Sequence, residues 1–181
     1  PFYVNVANEM GIEVLPPDSN EAVLDFRGVE GRIRFGLNAV KNVGETAIRA
    51  ILEARRQGGA FTDLFDFCER VDMGIVNQRA IESLIKSGAM DSIGPSRRGM
   101  LMVMPQAMAY GKKTRSDADR GQASIFDLML EAPPVEAGAT QDAGANGKRK
   151  NGHPPVDIPR DDFSKEELLA LEKETLGLYV S

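Results

Sequence analysis

The chain has one cysteine, Cys68, and one histidine, His153, among its 181 residues. A lone cysteine excludes an internal disulfide framework and fits a reducing, cytosolic compartment. One of each residue falls short of a zinc site of the usual ligand count and leaves little room for a histidine-dependent triad. Long apolar runs are missing too, and none approaches the roughly 18 residues of a membrane span. The opening Pro1-Phe2-Tyr3-Val4 has neither the basic start nor the cleavage site of a secretory leader. It starts mid-pattern and without methionine, so the sequence is expected to be a piece of a longer protein. The residues present, 42% hydrophobic and 27% charged, suffice for one ordinary core or two small ones.

Taken over the whole chain, the formal charge of −5 disfavours a nucleic-acid binder. Along the chain the charge is uneven. Residues 31–116 hold 14 basic and 8 acidic side chains, a net +6, and the remainder carries −11. A basic middle lies between acidic flanks.

The expected fold is mainly α. Residues 1–30 read as a short, partly extended connector: Asn5 to Met10 as a helix end closed by Gly11, then Ile12-Glu13-Val14-Leu15 as a strand ended by Pro16-Pro17-Asp18. Residues 31–116 read as a compact helical domain from Ile33 to Tyr110. Ala47, Ile48, Ile51 and Leu52 share one face of a first amphipathic helix that Gly58-Gly59 ends. Thr62 is the expected cap of a second helix, whose apolar face is Leu64, Phe67, Cys68 and Val71. Asn77 is the expected cap of a third, carrying Ala80, Ile81, Leu84 and Ile85 and stopping at Gly88. Ser96 opens a fourth through Met100, Leu101, Met104 and Met108, which Pro105 should kink or shorten. Residues 132–163, rich in Pro, Gly, Ala, Asn and Asp, read as a disordered linker. Order is expected to resume at 164–181, where Ser164-Lys165-Glu166-Glu167 is a capping box opening a helix with Leu168, Leu171 and Thr175. Gly177 ends it, and Leu178-Tyr179-Val180 looks like a strand.

Two stretches in the basic block combine a helix, a tight turn and a second helix. In Phe35-Gly36-Leu37-Asn38-Ala39-Val40-Lys41-Asn42-Val43-Gly44-Glu45-Thr46, Asn42 tolerates a left-handed backbone, Val43 plugs the turn into the core, and Gly44 permits close approach of a ligand. Amides at the start of the following helix then form a phosphate site, with charge from Arg34, Lys41 and Arg49. The alternative is a helical corner in which Gly44 serves packing only. In Leu84-Ile85-Lys86-Ser87-Gly88-Ala89-Met90-Asp91, with Arg97 and Arg98 after it, the pattern recurs. Here the alternative is a plain helix terminus at Gly88. Paired hairpins would track successive phosphates of a duplex.

The first of these stretches resembles the helix-hairpin-helix motif, with Asn42 where the motif has its first glycine. Beyond it, Gly11-Ile12-Glu13-Val14-Leu15-Pro16-Pro17-Asp18-Ser19-Asn20, Ile33-Arg34-Phe35-Gly36-Leu37, Lys41-Asn42-Val43-Gly44, Gly58-Gly59-Ala60-Phe61, Leu84-Ile85-Lys86-Ser87-Gly88-Ala89-Met90-Asp91 and Leu171-Glu172-Lys173-Glu174-Thr175-Leu176-Gly177 together resemble the bacterial replicative DNA polymerase III alpha subunit. That resemblance runs nearly end to end, except across 132–160. It implies a tandem helix-hairpin-helix domain after the fingers and before an OB-fold domain. It implies sequence-independent contact with the backbone of double-stranded DNA through Arg34, Lys41, Asn42, Val43, Gly44, Thr46, Arg49, Lys86, Ser87, Gly88, Arg97 and Arg98. The family's catalytic aspartates lie in a preceding palm domain and nothing here matches them, so no catalytic residue, metal ligand or cofactor is expected; Mg2+ would act elsewhere in the parent polymerase. Asp161-Asp162 and Glu166-Glu167 read as solvated carboxylates at a helix start.

Residues 117–131 hold a second motif. In Gly121-Gln122-Ala123-Ser124-Ile125-Phe126-Asp127-Leu128, apolar side chains sit beside the linker without an evident core. The physical reading is a recognition peptide whose anchors Ile125, Phe126 and Leu128 enter a partner's pocket while Gln122 and Ser124 orient it. It is similar to the peptide by which the polymerase family holds the beta sliding clamp. The alternative is a short helix packed back on the domain. The implied partners are DNA, the clamp and other parts of the polymerase, in the bacterial cytoplasm near the nucleoid and with no membrane. Two other classes stay open: a purely structural connector, and a helix-hairpin-helix module of a repair nuclease. Cys68 reads as core packing, His153 and Lys148-Arg149-Lys150 as linker, and the methionines at 100, 102, 104 and 108 as core filling, with an adaptable binding face as the alternative.

Overall fold

The first 34 residues hold more structure than a connector. The computed structural model describes residues 2–131 and 156–179, with the side chains of Phe2, Tyr3, Asn5, Asn8 and of 121–131 outside that description. Helix α1 (Phe2–Glu9) leads into β1 (Val14–Leu15), and two further strands follow, β2 (Arg27–Val29) and β3 (Arg32–Arg34). The sheet order is β1-β3-β2, with β1 parallel to β3 (Val14 opposite Ile33) and β2 antiparallel to it (Gly28 opposite Ile33). Glu30 and Gly31 both take positive φ, 49° and 77°, which makes the two-residue turn whose twist suits a hairpin. The helical stretch expected from Ile33 therefore begins later, and a boundary at residue 31 cuts this hairpin. Strands of two and three residues show no alternation that a sequence pattern can register.

Helical periodicity holds in the middle of the chain. Helix α2 (Glu45–Gly58) buries Ala47, Ile48 and Ile51; α3 (Leu64–Arg70) buries Leu64, Phe65, Phe67 and Cys68; α4 (Gln78–Lys86) buries Ala80, Ile81, Leu84 and Ile85. Asn77 caps α4, its side chain accepting the Ala80 amide at 3.0 Å. Thr62 does not cap α3. Asp63 does so instead, accepting the Asp66 amide at 2.8 Å, while the Asp66 carboxylate accepts the Thr62 amide at 3.0 Å. This reciprocal arrangement satisfies two orphan donors and sets negative charge at the positive helix end. Cys68 is fully buried, and burial pushes its thiol up to about 12, as befits core packing.

Helix α5 (Arg97–Glu131) is longer than expected: it neither stops at Pro105 nor ends near Gly111. Pro105 lies on the exposed side, where water can satisfy the carbonyl that its missing N–H leaves unpaired. Met100, Met104 and Met108 face the core while Met102 is exposed. At Gly111 the helix crosses α3 so closely that a Cβ there would sit 2.1 Å from the Cys68 carbonyl oxygen. Gly111→Ala is therefore expected to lower the stability by about 2 kcal/mol, read as a shift in the urea midpoint at unchanged slope. An unmoved midpoint would contradict that close crossing. Past Gly111 the described side chains of α5 are almost all exposed, so the helix projects from the core.

The linker reading needs a correction. Residues 132–155 lie outside the described residues, and His153 and Lys148-Arg149-Lys150 with them, but 156–163 form an ordered strap. Val156 and Ile158 pack against the core, and Ser96 Oγ donates to the Pro159 carbonyl at 2.6 Å. Asp162, expected to be solvated, accepts the amides of Arg97 and Arg98 at 3.3 and 3.1 Å and so caps α5 from a distance. Composition alone missed this, because two apolar side chains and one aspartate suffice to fix the strap. Helix α6 (Lys165–Leu176) then opens with the expected Ser164–Glu167 capping box and closes at Gly177 in the left-handed region. Leu178 and Tyr179 are not in a strand, and Val180, the third residue of that expected strand, lies outside the described residues.

Candidate nucleic-acid interface

The first hairpin is built from the core outward. Leu37–Ala39 forms a single 3-10 turn, and Leu37, Val40 and Val43 are buried, which fixes the loop by its apolar side. Asn42 adopts the left-handed conformation expected of it, φ 64°, and its side-chain amide donates to Ser83 Oγ at 3.1 Å. Gly44 precedes α2 in an extended conformation. A Cβ there would meet nothing within 4 Å, so its importance is open access and not a strained backbone. Among the described residues no side chain caps α2. Its first amides, with Thr46 exposed beside them, are the orphan donors of a helix start and carry its partial positive charge.

The second hairpin has the same outline and the opposite exposure. Ser87, Gly88, Ala89 and Met90 are all buried. Ser19 closes the turn from outside: its amide and hydroxyl both donate to the Ala89 carbonyl, at 2.7 and 2.8 Å. Ser87 Oγ donates inward, to the Leu84 carbonyl. A Cβ on Gly88 would lie 2.4 Å from the Arg97 guanidinium, so this glycine makes room for an arginine. The turn offers no open backbone to a phosphate.

The basic block is also less free than its count suggests. Arg34 is paired with Glu21 and donates to the Pro16 carbonyl, with only 14% of its side chain exposed. Arg97 is 7% exposed and pairs with Asp91 and Glu172. Lys86 pairs with Glu82 and Glu174, which raise its pKa against the small cost of burial. Arg49 is exposed but holds Glu45 at 2.6 Å. Arg55, buried enough that desolvation lowers its pKa, donates to the Ser19 and Ala22 carbonyls. Among the described residues, the exposed cations with no ion pair include Lys41, Arg79 and Arg98.

The structure thus brings Lys41, Asn42, Val43, Gly44, Thr46 and Arg49 together on one accessible turn. It places Arg34, Lys86, Ser87, Gly88 and Arg97 in internal contacts, and Arg98 at the start of α5. Sequence reasoning missed Arg79, an exposed cation in the first turn of α4, four residues before Ser83, the residue that Asn42 bonds. That contact spans 41 residues, and no local pattern announces it. It also missed Ser19 and Asn20; the Asn20 side chain exchanges hydrogen bonds with the Phe61 backbone at 2.9 and 2.7 Å. The segment holding Gln122, Ser124, Ile125, Phe126 and Leu128 is helical, continuous with α5. Among the described residues no cluster of His, Cys, Asp or Glu is placed to hold a metal, and no helix is long and apolar enough to cross a membrane.

Two successive turns, each between helices and plugged by apolar residues, define a tandem helix-hairpin-helix module. A family model described as a helix-hairpin-helix motif matches residues 11–100. The chain is 40% identical over 179 residues to the DNA polymerase III subunit alpha of Thermus aquaticus, covering 99% of this chain and 13% of that protein. It is 39% identical to that of Vibrio cholerae over 98% of this chain, and 38% to that of Mycobacterium leprae over 99%; each match spans 14% of the relative. The chain belongs to the bacterial DNA polymerase III alpha subunit family, of which it corresponds to one segment.

Proposed function

We propose that this chain is a non-catalytic segment of a replicative polymerase that holds the backbone of duplex DNA and tethers a sliding clamp, so contributing to processive DNA replication. The observation that carries the DNA reading is the turn at residues 41–46. Its apolar side is locked in the core, its backbone is open at Gly44, and the uncapped start of α2 faces solvent with the unpaired cation Lys41 beside it. A phosphate is the ligand that such a combination of amides, helix dipole and ammonium accommodates, and it needs no particular base. Arg49, one helical turn into α2, borders the same turn. On this reading the contacts at the first hairpin are Lys41, Asn42, Val43, Gly44, Thr46 and Arg49, and Arg98 stays exposed at the start of α5. Lys86, Ser87, Gly88 and Arg97 are held in contacts within the second hairpin and with α6.

The test is titration of the 181-residue chain with fluorescent duplexes of unrelated sequence over a range of salt. Affinity is expected to be indifferent to sequence and to fall steeply with salt, since each neutralised phosphate releases counterions. Absence of duplex binding at low salt would favour the structural-connector reading, which the enclosed second hairpin independently suits. The clamp reading rests on the Gln122, Ile125, Phe126 motif and its place on the projecting half of α5.

A further inference from the structure

Helix α6 touches the candidate interface at three levels. The Thr175 carbonyl accepts the Lys41 amide at 2.9 Å, so α6 holds a backbone donor of the open turn itself. The Glu174 carboxylate reaches Lys86, at the end of α4, at 3.4 Å. Glu172, fully buried, accepts both terminal nitrogens of Arg97 at 3.1 Å. The same guanidinium donates to Asp91 and to the Lys86 carbonyl, so one arginine joins α6 to the second hairpin. Burial works against the charge on Arg97, but the two carboxylates outweigh it and raise its pKa.

A buried carboxylate is a costly way to dock a helix unless it is fully paired, and what it adds is register. The apolar contacts of α6 come from half-buried side chains such as Leu168 and Leu171, which tolerate a small slide. A slide of one residue, about 1.5 Å along the axis with a rotation of about 100°, would take Glu172 off Arg97 and the Thr175 carbonyl off Lys41 together.

We propose that Glu172 is a positioning residue for the first hairpin: docked on Arg97, it fixes α6 in the register at which the Thr175 carbonyl holds the Lys41 amide, and so sets the conformation in which that turn meets a DNA phosphate. The functional half of this inference rests on the duplex-binding reading; the register half does not.

The experiment compares Glu172→Ala and Glu172→Gln in the 181-residue chain by amide hydrogen exchange and by binding to a random-sequence duplex. In Glu172→Ala, exchange at Lys41 is expected to accelerate about tenfold relative to core amides of α4 such as Leu84, with duplex affinity lowered several-fold. Glutamine keeps an Oε1 acceptor for Arg97, so Glu172→Gln should recover most of the affinity and show only a two- to threefold, still selective, acceleration at Lys41, on the order of a weakened rather than lost contact. Acceleration at Lys41 that merely parallels the core amides, or none, overturns the proposal. If the alanine variant does not fold, the glutamine variant decides by the same criterion. Selective exchange at Lys41 in a chain whose wild type binds no duplex would sink the duplex reading and leave the register standing. Selective exchange with an unchanged affinity in a binding-competent chain would overturn the positioning role.

Discussion

Reversing both charges at the open turn, Lys41→Glu with Arg49→Glu, is expected to weaken duplex binding by about tenfold or more and to flatten its salt dependence by about two units of slope. Lys41 lies in the turn itself with no ion pair among the described residues, and Arg49 stands one turn into α2 with 69% of its side chain exposed. Both changes place an anion where the helix start and its free amides favour one from the ligand. Glu45 sharpens the prediction. It sits in the first turn of α2 and pairs with Arg49, so it competes with a phosphate for that arginine. Glu45→Gln should raise affinity about two- to threefold, although it removes a carboxylate that stabilises the helix end by a few tenths of a kcal/mol. Anisotropy titrations at several salt concentrations read both effects. Unchanged affinity and slope in the double reversal would remove the first hairpin from the interface.

Loss of the proposed clamp-binding peptide should have the other large effect. With Gln122→Ala and Phe126→Ala together, retention of the chain on immobilised beta clamp is expected to fall about a hundredfold in affinity, as when two anchors of a small interface are truncated, with duplex binding unaltered. From Gly111, where α5 leaves the core, to Gln122 the helix advances about 17 Å, at roughly 1.5 Å per residue. Gln122, Ile125 and Phe126 stand at i, i+3 and i+4 along it, the spacing of one helical face. Equal retention of wild type and double variant would reject the clamp assignment and leave the DNA assignment untouched.

Where a signal was local, the sequence carried it. The left-handed Asn42, the Asn77 cap, the Ser164 box and the apolar faces of α2, α3 and α4 depend on neighbours within one or two turns of chain. Most of the misses have other causes. Glu30-Gly31 forms a tight hairpin turn, but strands this short leave no periodic trace. Asp162 caps a helix 64 residues before it, and Ser19 closes a turn 70 residues after it. The second hairpin shows the limit most clearly. Lys86, Ser87, Gly88 and Arg97 have the residue types of a phosphate site, and the same types serve equally well to bury an arginine against Glu172 and Asp91. Composition cannot separate these outcomes, because the deciding carboxylate lies 75 residues away from Arg97. The surplus of basic residues was likewise real in count and smaller in effect, since Arg34, Lys86 and Arg97 are spent on internal pairs.

The docking of α6 has a consequence for how the protein is made. The residues of both turns leave the ribosome well before the helix that braces them: Lys86 waits for Glu174, 88 residues downstream. At about 5–20 residues per second, that interval is on the order of several seconds. Throughout it, the apolar plugs Leu37, Val40 and Val43 can already seat, while the Lys41 amide lacks its carbonyl and Arg97 has Asp91 and the Lys86 carbonyl without Glu172. The nascent chain thus acquires its core first and its finished grip last, once residue 176 has been synthesised. A chain arrested short of α6 would carry both hairpins and lack the register that aligns them.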